Sequence, residues 1–247
     1  NIAIILAGGI GSRLGAPMPK QFMPICNRTV IEYSVDTFNS HTAIDEVAIV
    51  IHPDWRKKLQ EIVNRNKWSK LGKIIDGGSE RYMSSINAIM AYIDYPDDTN
   101  ILLHDAARPM VSTEIIDRVV DELKYHEAVG VAVPSTDTIW EVHPDIEADH
   151  VGRFVARIPE RRLMWQAQTP QAFRLPLLRD AYQRALQDPQ FHATDDCGVV
   201  RQYMPGTKIA VVEGEERNRK ITTQLDISEL EKLLKDRKNE YSPNVSR

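Results

Sequence analysis

The sequence predicts an α/β fold with a mostly parallel central sheet. Two observations lead there. Apolar runs of strand length recur at Ile2–Leu6, Val47–Ile51, Ile101–His104 and Val129–Val133. Between them lie stretches whose apolar residues return at helical spacing. Strands separated by helices form parallel βαβ units with right-handed crossovers. Ligands in such sheets bind outside the carboxyl ends of the strands. The loops that matter are therefore those after Leu6, Ile51, Ile75, His104 and Val133.

In order, Ile2–Leu6 is a buried strand that runs into a glycine-rich turn. Ile31, Ser34, Val35 and Phe38 fall on one helical face. Val47–Ile51 is the second strand. Pro53 to about Asn66 reads as a helix, with proline tolerated in its first turn. Lys73–Ile75 is a short strand ended by Gly77-Gly78, and Glu80 to about Ile93 is helical. After the strand Ile101–His104, Ser112 or Thr113 caps a helix whose apolar face is Ile115, Ile116, Val119, Val120 and Leu123. Val129–Val133 is the next strand. Thr138 to about Leu163 has no clear helical signal and reads as an extended excursion, a protruding β-arm. Its apolar residues, among them Trp140, Val142, Phe154 and Ile158, need a partner surface, and a second subunit would supply it. Leu175–Leu186 is helical, Ile209–Val212 is a strand, and Asp226 or Glu229 caps the final helix.

The chain has 247 residues, 42% hydrophobic and 27% charged, enough for a sizeable core. No Gly/Ser-rich or Pro-rich stretch divides it, so residues 1–238 are read as one domain. The arm spans about 138–163, and 239–247 is a polar tail. A net charge of -4 gives no global sign of nucleic-acid binding. Cys26 and Cys197 make neither a disulfide framework nor a CxxC pair, and read as reduced thiols of a cytoplasmic protein. The seven histidines form no HxxxH or HExxH pair, which argues against a protein-built zinc site. No apolar run approaches the ~20 residues of a membrane span, and Ile2–Ala7 lacks the basic flank of a signal peptide.

Chemistry concentrates in the loops. The first runs Ala7-Gly8-Gly9-Ile10-Gly11-Ser12-Arg13-Leu14, followed by Pro19-Lys20-Gln21. Glycines let the backbone turn tightly and bring N–H donors up to a phosphate. A dinucleotide fingerprint would need glycine at Leu14, and no Walker Lys-Ser or Lys-Thr follows a glycine. What remains is a glycine turn with Arg13 and Lys20 placed to hold a triphosphate. A second loop, Asp76-Gly77-Gly78-Ser79-Glu80-Arg81 with Ser84 beyond it, is suited to a base or ribose, or is a plain turn opening a helix. A third, His104-Asp105-Ala106-Ala107-Arg108-Pro109, ends a buried strand in Asp and Arg. Asp105 can accept a ribose hydroxyl, help hold a Mg²⁺ carried in by phosphates, or pair structurally with an arginine. Asp137-Thr138 stands at the mouth of the arm, and Arg161 with Gln168-Thr169-Pro170-Gln171 at its far end. Lys220 sits in a basic cluster with Arg217 and Arg219, which reads equally as a solvated surface.

Taken together and in order, these motifs resemble the cytidylyltransferases of the methylerythritol-phosphate pathway and the related ribitol-5-phosphate cytidylyltransferases. The resemblance covers about residues 2 to 235. It implies a Rossmann-like nucleotidyltransferase fold, CTP as co-substrate, Mg²⁺, and a homodimer joined by the arms. It implies that Arg13, Lys20 and Lys220 surround the reacting α-phosphate. Ala7, Gly8, Gly9, Gly11, Gly78, Arg81, Ser84 and Asp105 would bind the nucleotide, with Asp105 near the metal. Ala106, Arg108, Thr138, Arg161 and Thr169 would bind the polyol phosphate, Arg161 reaching in from the other subunit. Ser79 departs from the acidic residue of many relatives, and Arg162 and Arg219 add positive charge. The chemistry implied is in-line attack by an acceptor phosphate on the α-phosphorus of CTP. A phosphate monoester is already ionised near neutral pH, so fixed cations rather than a general base are required. The motifs do not separate methylerythritol phosphate from ribitol phosphate; methylerythritol phosphate is the expected acceptor, with ribitol phosphate the alternative and a non-catalytic nucleotide-binding module a further reading.

Overall fold

The computed structural model describes residues 1–9, 18–145 and 152–240. In chain order the elements are β1 (Ile2–Ala7), β2 (Pro24–Ile25), β3 (Arg28–Thr29), α1 (Val30–Ser40), β4 (Glu46–Ile51), α2 (Arg56–Asn66) and β5 (Leu71–Asp76). Next come α3 (Arg81–Ala91), β6 (Asn100–Asp105), α4 (Thr113–Glu122), β7 (Ala128–Pro134), β8 (Glu141–Asp145) and β9 (Gly152–Arg157). The chain continues with β10 (Trp165–Arg174), α5 (Leu175–Ala185), α6 (Asp196–Tyr203), β11 (Ile209–Glu213) and α7 (Gln224–Glu240).

One seven-stranded sheet has the order β11-β7-β10-β6-β1-β4-β5. Every pairing in it is parallel except those of β10, which runs antiparallel between β6 and β7. The α/β class and the mostly parallel sheet are thus as the sequence predicts. Side chains alternate across a strand, and β1 shows the consequence. Ala3, Ile5 and Ala7 pack on one face with residues of α1, α2 and α4. Ile2, Ile4 and Leu6 pack on the other with α3, α5 and α6. A strand covered on both faces must be apolar throughout, which is why Ile2–Leu6 is a continuous run. A third cluster, Ile25, Val30, Met110, Ile221, Ile227, Leu230 and Leu234, seats α7 against the β2–β3 corner.

Helix starts follow local chemistry. Thr29 and Glu32 form a capping box on α1, and the Ser112 hydroxyl accepts from Ile115 N–H at 3.2 Å at the start of α4. Asp226 caps α7 from inside its first turn, accepting from the N–H groups of Thr222 and Thr223 at 2.7 Å. Glu229 instead pairs with Arg219 at 2.8 Å. The arm is an antiparallel β8–β9 hairpin. Four elements go beyond the expectation: the two short strands β2 and β3, β10, which carries the Gln168–Gln171 stretch, and α6, which follows Thr194.

Candidate active site

The chain leaves β1 toward β4 at one side of the sheet and leaves β6 toward β7 at the other, although β1 and β6 are neighbours. That divergence opens a crevice at their carboxyl ends. A cleft of about 670 Å³ lies there. Its walls are the loop after β1 (Ala7, Gly8, Gly9), Lys20 and Gln21, the Gly78–Arg81 turn with Ser84, and Asp105 to Ala107 after β6. Lys220 and Thr222 close it from the far end of the chain.

The glycine loop is held by its neighbours. The buried Gln21 amide donates to Ala7 O at 2.6 Å and to Gly9 O at 3.0 Å. A Cβ on Gly8 would stand 2.9 Å from the Ser84 hydroxyl, so only glycine allows the two loops to approach. Ser84 in turn accepts from Gly78 N–H at 3.1 Å. A Cβ on Gly78 would lie 2.2 Å from that of Met83.

The floor is a row of alternating charges. Asp105 receives Arg81 Nε on one oxygen at 3.3 Å and Lys220 Nζ on the other at 2.7 Å. Burial alone would raise the Asp105 pKa, but Arg81, Lys220 and Arg108 together hold it well below the usual carboxylate range. Lys220 is carried there by stitching of the segment before α7. Ile221 N–H donates to Ala107 O at 2.8 Å, Arg108 donates to Asn218 O at 2.9 Å, and Lys20 Nζ donates to Ile221 O at 2.9 Å. The basic cluster of 217–220 therefore separates. Arg217 pairs with Glu215 and Arg219 with Glu229, and Lys220 turns into the cleft.

Two residues expected at the acceptor also make hydrogen bonds within the protein. Arg108 donates to the Asn218 and Ala167 carbonyls. Thr169 is buried and belongs to a chain of hydrogen bonds through His104. A carbonyl only accepts, so His104 Nε2 donates to Arg108 O at 3.1 Å. Nδ1 then accepts the Thr169 hydroxyl proton at 3.0 Å, and Thr169 Oγ1 accepts from Asp105 N–H at 3.1 Å. Burial lowers the His104 pKa to about 4, so the neutral ring this chain requires is the one present near pH 7. The chain fixes the backbone of Asp105 against β10.

Of the remaining expected residues, Ala106 lines the cleft, while Thr138 and Arg161 lie exposed at the arm. Arg161 donates to Thr136 O at 3.3 Å. Gly11 and Arg13 lie outside the described residues. Among the described residues no three His, Cys, Asp or Glu side chains gather to hold a metal. One carboxylate, Asp105, with a lone pair left on each oxygen, suits a Mg²⁺ that arrives with phosphates.

Three lining residues were not anticipated: His52, Thr194 and Thr222. His52 had a usable signal, because it stands directly after the carboxyl end of β4. Thr194 had none, since α6 was not expected behind it.

The family model described as "IspD: 2-C-methyl-D-erythritol 4-phosphate cytidylyltransferase" matches residues 1–236. A 2-C-methyl-D-erythritol 4-phosphate cytidylyltransferase of Thermobifida fusca is 42% identical over 233 residues, covering 94% of this chain and 92% of that protein. The bifunctional ribulose 5-phosphate reductase/CDP-ribitol pyrophosphorylase Bcs1 of Haemophilus influenzae is 38% identical over 246 residues, all of this chain but 50% of that one. Among solved structures, the 4-diphosphocytidyl-2C-methyl-D-erythritol synthase of Anaerococcus prevotii superposes with a TM-score of 0.80 at 29% identity, covering 95% of this chain and 97% of its own.

Proposed function

The chain belongs to the 2-C-methyl-D-erythritol 4-phosphate cytidylyltransferase family, and from that premise we propose that it transfers CMP from CTP to 2-C-methyl-D-erythritol 4-phosphate, releasing pyrophosphate. The observation that carries this reading at the level of the site is the convergence of Lys20, Arg81 and Lys220 on one cleft beside Asp105.

In the reaction, an oxygen of the acceptor phosphate forms a bond to the α-phosphorus. The bond from that phosphorus to the α,β-bridging oxygen breaks, and pyrophosphate departs. Both reactants are anions, and negative charge builds on the α-phosphate and the leaving group. Lys20 and Lys220, joined by Arg13 of the glycine turn, supply fixed positive charge there at no reorganisation cost during the step. Gly8, Gly9, Gly78 and Ser84 form the nucleoside end. Gly8 permits its loop to approach Ser84 closely, and cytosine as the base rests on membership of the family. Asp105 keeps Lys220 and Arg81 apart and would be the carboxylate to help hold a Mg²⁺ that arrives with the triphosphate. When bound, Mg²⁺ supplies charge neutralisation on the triphosphate.

Arg108, Thr138, Arg161 and Thr169 form the proposed acceptor side, in two ways. Arg108 and Thr169 brace the backbone around Asp105. Thr138 and Arg161 lie exposed on the arm and outside the cleft lining of this chain, and the homodimer reading has Arg161 reach the acceptor from the second subunit's arm. CTP is a cytoplasmic metabolite, and the reading places the enzyme in that compartment. Residues 1–238 act as one catalytic domain.

Ribitol 5-phosphate is a second acceptor reading, because a CDP-ribitol pyrophosphorylase is similar along the entire chain. Pyrophosphate release from CTP, assayed separately with the two acceptors, tests both. Release with methylerythritol phosphate at least tenfold faster than with ribitol phosphate is expected. The reverse ranking installs the second reading, and no release with either removes the assignment.

A further inference from the structure

Arg81 lines the cleft and touches Asp105, yet its shorter ion pair lies on the other side. There its Nη1 meets Asp196 Oδ2 at 2.7 Å, against 3.3 Å from its Nε to Asp105. Asp196 is wholly buried at the first position of α6. A buried carboxylate is unfavourable unless it is paired and fully hydrogen-bonded, and this one is. Tyr182 of α5 donates to its second oxygen at 2.6 Å. Its own N–H and that of Cys197 both donate to Gln171 Oε1 at 3.0 Å. Gln171 Nε2 donates back to Asp195 at 2.7 Å, and Asp195 caps α6 through Gly198 N–H at 2.8 Å. The carboxylate thus sits at a helix N-terminus, where negative charge is favoured, and three elements fix its place.

We propose that Asp196 is a positioning residue for cytidylyl transfer, anchoring the Arg81 guanidinium so that Arg81 engages only one oxygen of Asp105 and leaves the other to Lys220. The inference rests on the cleft being the transfer site. The charges run in a row, Asp196, Arg81, Asp105, Lys220, each carboxylate shared between neighbours or held by a buried hydroxyl. Without the charge at Asp196, Arg81 loses its shorter partner and turns both donor edges onto Asp105. A guanidinium paired in that forked way displaces a lysine from the same carboxylate. Lys220 then leaves the position from which it meets the triphosphate. The role is one of geometry. Asp196 does not line the cleft and touches the reactants only through Arg81.

The test is a double-mutant cycle on the full chain, with Asp196→Asn and Arg81→Met made singly and together. Turnover, CTP affinity and melting temperature are measured for each. Asparagine keeps the shape and the Tyr182 contact but removes the charge. The expected result is a loss of about tenfold in kcat for Asp196→Asn in the parent chain, and no further loss when it is added to Arg81→Met. A merely structural Asp196 would lower the melting temperature and reduce kcat by the same factor in both backgrounds, and that outcome overturns the proposal, as does unchanged kcat. Should Asp196→Asn fail to fold, Tyr182→Phe removes one hydrogen bond to the same carboxylate and must show a smaller loss with the same dependence on Arg81. If the parent chain binds CTP but turns over neither acceptor, the transfer reading fails by itself, and the cycle is read on CTP affinity alone. No CTP binding by the parent chain ends both.

Discussion

Lys220 shows how one side chain changes meaning between sequence and structure. In the sequence it is one of three basic residues with a surface look. In the fold, Arg217 and Arg219 find carboxylates of their own, and Lys220 faces Asp105 at 2.7 Å. What sorts them is the pairing of the 215–222 segment with Ala107 and Arg108 at the end of β6, which spacing along the chain does not encode. Lys20 was easier to read, because Pro19-Lys20-Gln21 lies close behind the glycine turn that Gln21 pins. Thr169 and Arg108 also carry structural bonds that spacing does not show, Thr169 with His104 and Arg108 with two carbonyls. At this scale the account predicts that Lys220→Ala lowers kcat by roughly a hundred- to a thousandfold, as loss of one charge-stabilising contact does. Far-ultraviolet circular dichroism should be unchanged, because Lys220 is partly exposed and leaves no apolar cavity. Near-normal turnover in that variant would remove Lys220 from the catalytic group.

Most elements were legible because their faces are buried on regular periods. β1, β4, β6 and β7 are covered on both sides, and a run of apolar residues is the direct mark of that. The helices α1 and α4 carry one apolar stripe each, and Ser112 and Asp226 do act as caps. β10 hid because its first three residues, Trp165 to Ala167, are exposed and Pro170 interrupts the alternation. Its register with β7 also shifts between Gln168 and Gln171. α6 hid because eight residues with an internal glycine give little periodic signal. The arm leaves large apolar side chains exposed, which is what the dimer reading rests on. Trp140 and Phe154 are 60% and 58% exposed on a two-stranded hairpin, which has no core of its own. The account predicts that the protein sediments at twice the chain mass, and that Phe154→Glu shifts it to the single mass while the chain stays folded. A parent chain that sediments as a monomer at micromolar concentration contradicts the dimer.

Taken whole, the molecule is a mostly parallel sheet that gathers charge at one end. Segments from both termini and from the middle of the chain contribute to a single cleft, because β1, β6 and the run into α7 meet there. The net charge of -4 hides this, since the cleft cations are balanced by acidic residues spread over the surface. Composition therefore excluded little, and the ordered set of loop motifs was more informative. Lys20, Lys220 and the close approach of the Gly8 and Gly78 loops define where the triphosphate would lie. A crystal structure of the chain with CTP and Mg²⁺ tests that convergence most directly. The account predicts the α-phosphate between Lys20 and Lys220, with each Nζ at hydrogen-bonding distance of about 3 Å, and cytosine against Gly8, Gly78 and Ser84. A triphosphate bound away from both lysines, or a nucleotide lodged outside the β1–β6 crevice, would contradict it.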